Sequence, residues 1–77
     1  MTHKLKVLIP YFVAIENHDK NFELRLNDRN YQVGDNVILE EWTGQCYTTR
    51  TAVRSIKYVL KDCSQFGLKD GYCIFGW

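Results

Sequence analysis

Between Asn21 and Asn27 apolar and polar residues alternate without a break: Phe22, Leu24 and Leu26 against Asn21, Glu23, Arg25 and Asn27. A period of two marks an extended strand, because successive side chains of a strand point to opposite faces. The pattern predicts a strand with Phe22, Leu24 and Leu26 toward a core and the amides and charges toward the other face. A lone strand is not stable in water, so the rest of the chain must supply neighbours for it. The 77 residues leave room for one small sheet-based domain over residues 1–77.

The remaining segments supply those neighbours. Leu5, Val7 and Ile9 alternate with Lys4, Lys6 and Leu8, predicting a first strand over His3–Ile9. Pro10 suits the first turn of a helix, where its missing N–H costs nothing. Phe12 and Ile15 lie three apart, as do Tyr11 and Ala14, which gives a short helix an apolar stripe before it exits at Asn17-His18-Asp19. Asn27-Asp28-Arg29-Asn30 and Gly34-Asp35 are turn signals. Asn36–Trp42 reads as a strand with Val37, Leu39 and Glu41 on one face and Ile38, Glu40 and Trp42 on the other, ended by Thr43-Gly44-Gln45. Cys46–Leu60 is rich in β-formers but longer than the usual ~3–10 residues of one strand, so a bend or bulge is predicted near Val53–Ile56. Lys61–Asp70 reads as a loop, and Gly71–Trp77 as a closing strand with Tyr72 and Ile74 on one face. Phe12, Phe22 and Tyr72 are expected in the core. The class is α+β, mostly β: about five or six strands, with one short helix after the first, curled into a small, partly open barrel.

Composition narrows the function classes. The formal net charge is +1, unlike a chain that grips duplex DNA through many phosphates. No apolar run is long enough for a membrane-spanning helix, and no signal-peptide pattern opens the chain. Cys46, Cys63 and Cys73 are odd in number and follow no zinc-module spacing, so free thiols in a reducing cytoplasm are expected. No metal site, cofactor motif, nucleophile triad or glycine-rich phosphate loop is visible, and a monomer is the default expectation.

Glu23 and Arg25 lie two apart and share one face of their strand. Arginine offers a rigid fork of donors to a phosphate or a base edge, and glutamate accepts from an exocyclic amine. Lys20, just upstream, offers a point charge for phosphate. The alternative reading is a solvated ion pair of at most ~1 kcal/mol, with Lys20 closing the helix. Arg29, Arg50, Arg54 and Lys57 would make an intermittent basic rim suited to single-stranded RNA, or simple solvated positions. Trp42, at a strand end beside two glutamates, is the candidate stacking platform.

Several of these residues form a longer pattern. His3 and Lys4 precede the first strand, followed by Pro10-Tyr11-Phe12-x-Ala14-Ile15 and Lys20-x-Phe22-Glu23-x-Arg25-x-Asn27-Asp28-Arg29. Tyr31-x-Val33-Gly34-Asp35, Glu40-Glu41-Trp42, Thr48-Thr49-Arg50, Gln65-Phe66-Gly67-Leu68 and Gly71-Tyr72 complete it. The pattern resembles the ASCH-like members of the PUA-like superfamily, and more narrowly a branch of small bacterial and phage domains of unknown function. That resemblance implies a pseudo-barrel with a cleft beside the helix, lined by Lys20, Glu23 and Arg25, with Arg29 and Trp42 at its edge and His3 on its rim. It implies binding of RNA or a nucleotide-like ligand. Some relatives are similar to amidohydrolases that cleave acylated cytidines with a Lys, a Thr and a Glu. Lys20 matches the first, Glu23 stands where the Thr would fall, and Glu40 and Glu41 are candidates for the third. Two alternatives to the binding module follow: a small amidohydrolase of modified nucleosides using Lys20 and Glu23, and a phage accessory protein that binds another protein through an open sheet edge.

Overall fold

Pro10 marks where the first strand becomes a helix. In the computed structural model, which describes residues 1–77, β1 spans Thr2–Leu8 and α1 follows directly at Ile9–Glu16, with the proline in its first turn. β2 is Phe22–Leu26, β3 Asn36–Trp42, β4 Tyr47–Ser55, β5 Tyr58–Leu60 and β6 Tyr72–Gly76, with a single 3₁₀ turn at Ser64–Phe66 inside the expected loop. The expected α+β, mostly β class is what the chain adopts. Its strands form two three-stranded sheets, ordered β1-β3-β4 and β2-β6-β5, rather than one closed barrel. No helix is long and apolar enough to cross a membrane.

The first sheet follows its alternation. β1 runs parallel to β3, pairing His3 with Val37, Leu5 with Leu39 and Val7 with Glu41, and all six side chains are buried. β4 returns antiparallel, with Ala52 opposite Leu39. α1 lays Phe12 and Ile15 onto the core, which Tyr31, Ile56, Cys73 and Phe75 complete. Full burial of one such aliphatic or aromatic side chain contributes ~1.5–3 kcal/mol, so this cluster is the main driving force of so small a fold.

The second sheet inverts the expectation. Phe22, Leu24 and Leu26 are 46%, 54% and 50% exposed, while Glu23 is only 5% exposed. In β6 it is Cys73 and Phe75 that are buried, whereas Tyr72 and Ile74 lie on the outer side, partly exposed. The core assignments of Phe22 and Tyr72 are therefore corrected. Period-two spacing says that two faces exist; which one turns inward is decided by what can be satisfied there. Glu23 can enter because two cations beside it in sequence neutralise it.

The long segment after Cys46 breaks between sheets. Ile56 donates to Asp35 O at 2.8 Å and accepts from Gly34 N at 2.9 Å, still held to the turn before β3. Lys57 N then donates to Gly76 O at 2.8 Å, and the chain continues as β5 in the second sheet. The predicted irregularity is thus a crossing between sheets, with an earlier register shift opposite Glu40–Trp42.

Candidate functional site

The end of α1 delivers Lys20 to the head of β2. Asp19 N and Lys20 N both donate to Ala14 O, at 2.9 and 3.1 Å, and His18 adopts a left-handed φ of 62° to make the turn. Lys20 Nζ then donates to Phe22 O at 2.8 Å and to Glu23 Oε1. Arg25 Nε donates to the other oxygen, Glu23 Oε2, at 2.9 Å. Both carboxylate oxygens are satisfied by charged donors, which is the condition for burying a glutamate without a large desolvation loss.

A groove of about 390 Å³ opens beside this cluster, lined by Tyr11, Lys20, Phe22, Glu23 and Leu24. The Lys20 ammonium stands 5.0 Å from the Phe22 ring and 5.7 Å from the Tyr11 ring, within reach of both π faces. Both rings are about half exposed. The arrangement offers a cation between two accessible aromatic faces, over a buried carboxylate. The sequence did not single out Tyr11 as a site residue. Its signal was its place next to Phe12: with Phe12 turned into the core, the neighbouring ring is left for the groove side.

Arg25 and Arg29 have further partners. Arg25 Nη2 donates to Lys6 O and Arg29 Nη1 to Lys4 O, each at 2.6 Å. β1 has a strand neighbour on one side only, so these guanidiniums stand where another strand would pair. Arg25 thereby positions Glu23 and ties the two sheets together; Arg29 sits on the β1 edge and does not line the groove.

Trp42 is also not brought to the groove. Its ring meets Tyr47 edge-on at 4.8 Å and lies 4.2 Å from Lys6 Nζ, on the outward face of the first sheet. His3, expected on a rim, is buried: Nε2 lies 2.9 Å from Asp35 Oδ2, and the ring packs edge-on against Tyr31. Asp35 also accepts from Gln32 N and the Met1 amine, both at 3.1 Å. The His3 hydrogen bond is the main reason its carboxyl is lowered to about 2 from the ordinary 3.8, with the amine and the Gln32 N–H adding to it against the opposing effect of burial. Burial raises the Tyr31 hydroxyl and the Cys73 thiol above their ordinary values.

A third buried carboxylate, after Glu23 and Asp35, is Glu41. It accepts from Thr48 Oγ1 at 2.5 Å and from Arg50 Nη1 at 3.5 Å, and the Arg50 guanidinium lies 5.2 Å from the Phe12 ring. Thr49, between these partners, has φ 78°, an unfavourable conformation for a β-branched residue. The alternation placing Glu41 beside Val37 and Leu39 was legible; its partners, seven and nine residues on, were not. Arg54 donates to the adjacent Val53 O at 2.8 Å, and Lys57 is exposed.

With this geometry in hand, comparison with known proteins gives a family. A family model described as a domain of unknown function, DUF3850, matches residues 2–77, and the chain belongs to that family. The chain is also similar to the uncharacterized 12.9 kDa protein in the GpA 3' region of Escherichia phage P2, 40% identical over 48 residues. The aligned stretch is 62% of this chain and 44% of the length of the phage protein.

Proposed function

We propose that this domain is an RNA- or nucleotide-binding module of the ASCH-like, PUA-like type, with the groove beside Lys20 as its site. The observation that carries the reading is the Lys20 ammonium held between the exposed rings of Tyr11 and Phe22, above Glu23. An unpaired base stacks on a ring of this kind, and aromatic platforms contribute ~1–3 kcal/mol per base. Lys20 meets the adjoining phosphate. Glu23 accepts from a base amine, while Arg25 holds the carboxylate in place. With so few cations at the groove, affinity is modest and depends on salt.

The test is a ¹H–¹⁵N titration of the chain with short single-stranded RNAs at two salt concentrations. Shifts at Tyr11 and Lys20–Leu24 are expected. The logarithm of affinity should fall with the logarithm of salt at a slope of about −0.7 per phosphate engaged. Lys20→Ala should weaken binding roughly tenfold and Tyr11→Ala at least as much. Absence of shifts at these residues, or shifts indifferent to salt, would remove the reading. Turnover of an acylated nucleoside, abolished by Lys20→Ala, would replace it with the amidohydrolase alternative.

A further inference from the structure

The outward face of the second sheet carries no charged residue at any strand position. Register lines up Phe22, Gly76 and Tyr58 in one row, and Leu24, Ile74 and Leu60 in the next. Leu26 and Tyr72 make a third. Tyr58 is 65% exposed, and the three outward residues of β2 are each about half exposed. Together these side chains present apolar surface on the order of 500 Å², at the upper end of the largest patch of an ordinary monomer. Cations lie at the margin: Lys69 Nζ is 5.5 Å from the Tyr72 ring. A face depleted of charge at its centre and polar at its rim has the composition of a protein interface. Lys20, 5.0 Å from the Phe22 ring, marks the opposite margin, where the groove begins, and the Leu24, Ile74 and Leu60 row between them has no cation for a phosphate.

The face is also shaped for itself. Leu24 and Tyr72 line a hollow of about 280 Å³ with Gly67, Leu68 and Lys69. Phe66, next in sequence to that wall, is 85% exposed and so is available as a knob. A knob and a hollow on one surface are what an isologous contact uses, since each copy gives and receives the same feature. A two-fold axis along the central row would set Leu24, Ile74 and Leu60 against their own copies. It would also bring the Phe22–Tyr58 row over the Leu26–Tyr72 row. With Phe66 and the hollow included, the contact approaches the roughly 800 Å² per partner of a standard interface. The net charge of +1 leaves little repulsion between two copies.

We infer that this domain forms a symmetric homodimer through the outer face of β2, β6 and β5, closed by sheet-on-sheet packing and by Phe66 entering the hollow of the other copy. This goes beyond the RNA reading and requires no RNA; because Phe22 and Leu24 belong both to this face and to the groove wall, RNA and a second copy compete for that edge. Sedimentation equilibrium of the full chain should give twice the 9.1 kDa of one chain at micromolar concentration. Leu24→Lys, at a half-exposed position the monomer tolerates, should raise the dissociation constant at least ~30-fold with an unchanged circular dichroism spectrum. Phe66→Ser should raise it less, and Val53→Lys, on the outer face of the first sheet, should leave it alone. A ¹H–¹⁵N dilution series of the unmodified chain keeps the test independent of any variant, and shifts should fall on β2, β6, β5 and Phe66. A monomer at hundreds of micromolar, a dimer indifferent to Leu24→Lys, or dilution shifts elsewhere would overturn the inference. Covering of the face by another protein only, with the chain alone monomeric, would overturn it as well.

Discussion

In the first sheet Leu5, Val7, Val37 and Leu39 turn inward, with His3 and Glu41 buried among them; in the second the inward residues are Glu23, Cys73 and Phe75, while Phe22, Leu24 and Leu26 look outward. Both sheets alternate with the same period. They differ in the source of their inward stability. The first gains it mainly from apolar burial, with partners for Glu41 drawn from Thr48 and Arg50 on the next strand; the second relies on a carboxylate with two cations within three residues of it in sequence. The difference teaches that a strand of this size can spend its best apolar side chains on an outer surface, provided the polar ones it buries bring their own partners.

The largest expected effect tests the apolar half of this contrast. Leu39→Ala, at a fully buried position, should lose about 3 kcal/mol in a urea titration followed by tryptophan fluorescence. Leu24→Ala, measured the same way at nanomolar chain concentration, should lose less than about 1 kcal/mol. Equal losses would mean that the two sheets are not different in kind. Next comes the polar half. Glu23→Ala should lose about 2 kcal/mol, since it leaves Lys20 and Arg25 partly enclosed without their acceptor. Restoring stability by pairing it with Lys20→Met would show that the loss comes from the stranded cation, and failure to restore any would place it elsewhere. The smallest effect belongs to Asp35, at the junction of the sheets. Its carboxyl titrates lower in the folded state than the ordinary 3.8, so its contribution is complete above that value and disappears as pH falls through about 2. Asp35→Asn should flatten the melting temperature across that window, and a slope identical to that of the unmodified chain would assign the acid sensitivity to other groups.

The sequence made some of this legible and hid the rest for identifiable reasons. Leu5, Val7 and Leu39 were readable because their apolar face and the core face coincide, and Pro10 located the strand-to-helix junction. Phe22, Leu24 and Leu26 misled because an apolar stripe ordinarily marks the core. The opposing signal, Lys20 three before and Arg25 two after Glu23, was present but reads equally as a solvated face. Within the site, the grouping of Lys20, Glu23 and Arg25 was legible, as their spacing lets both cations reach one carboxylate. Arg29 and His3 were placed elsewhere by contacts with Lys4 O and Asp35, whose long separations leave no local trace, and Trp42 by the Tyr47 ring across the turn to β4. The crossing at Ile56–Lys57 was visible only as a run too long for one strand.

That crossing and the two arginines on β1 divide the molecule like a book. Along one side, β4 passes into β5 as unbroken covalent chain and forms a spine. Along the other, Arg25 and Arg29 reach the Lys6 and Lys4 carbonyls through side chains alone and act as a clasp. The groove of Lys20 and Glu23 lies on the clasp side. Opening the clasp, as Arg25→Ala would do, should therefore loosen the cover on that side first, and the amides of β1 would then exchange with solvent before those of β3.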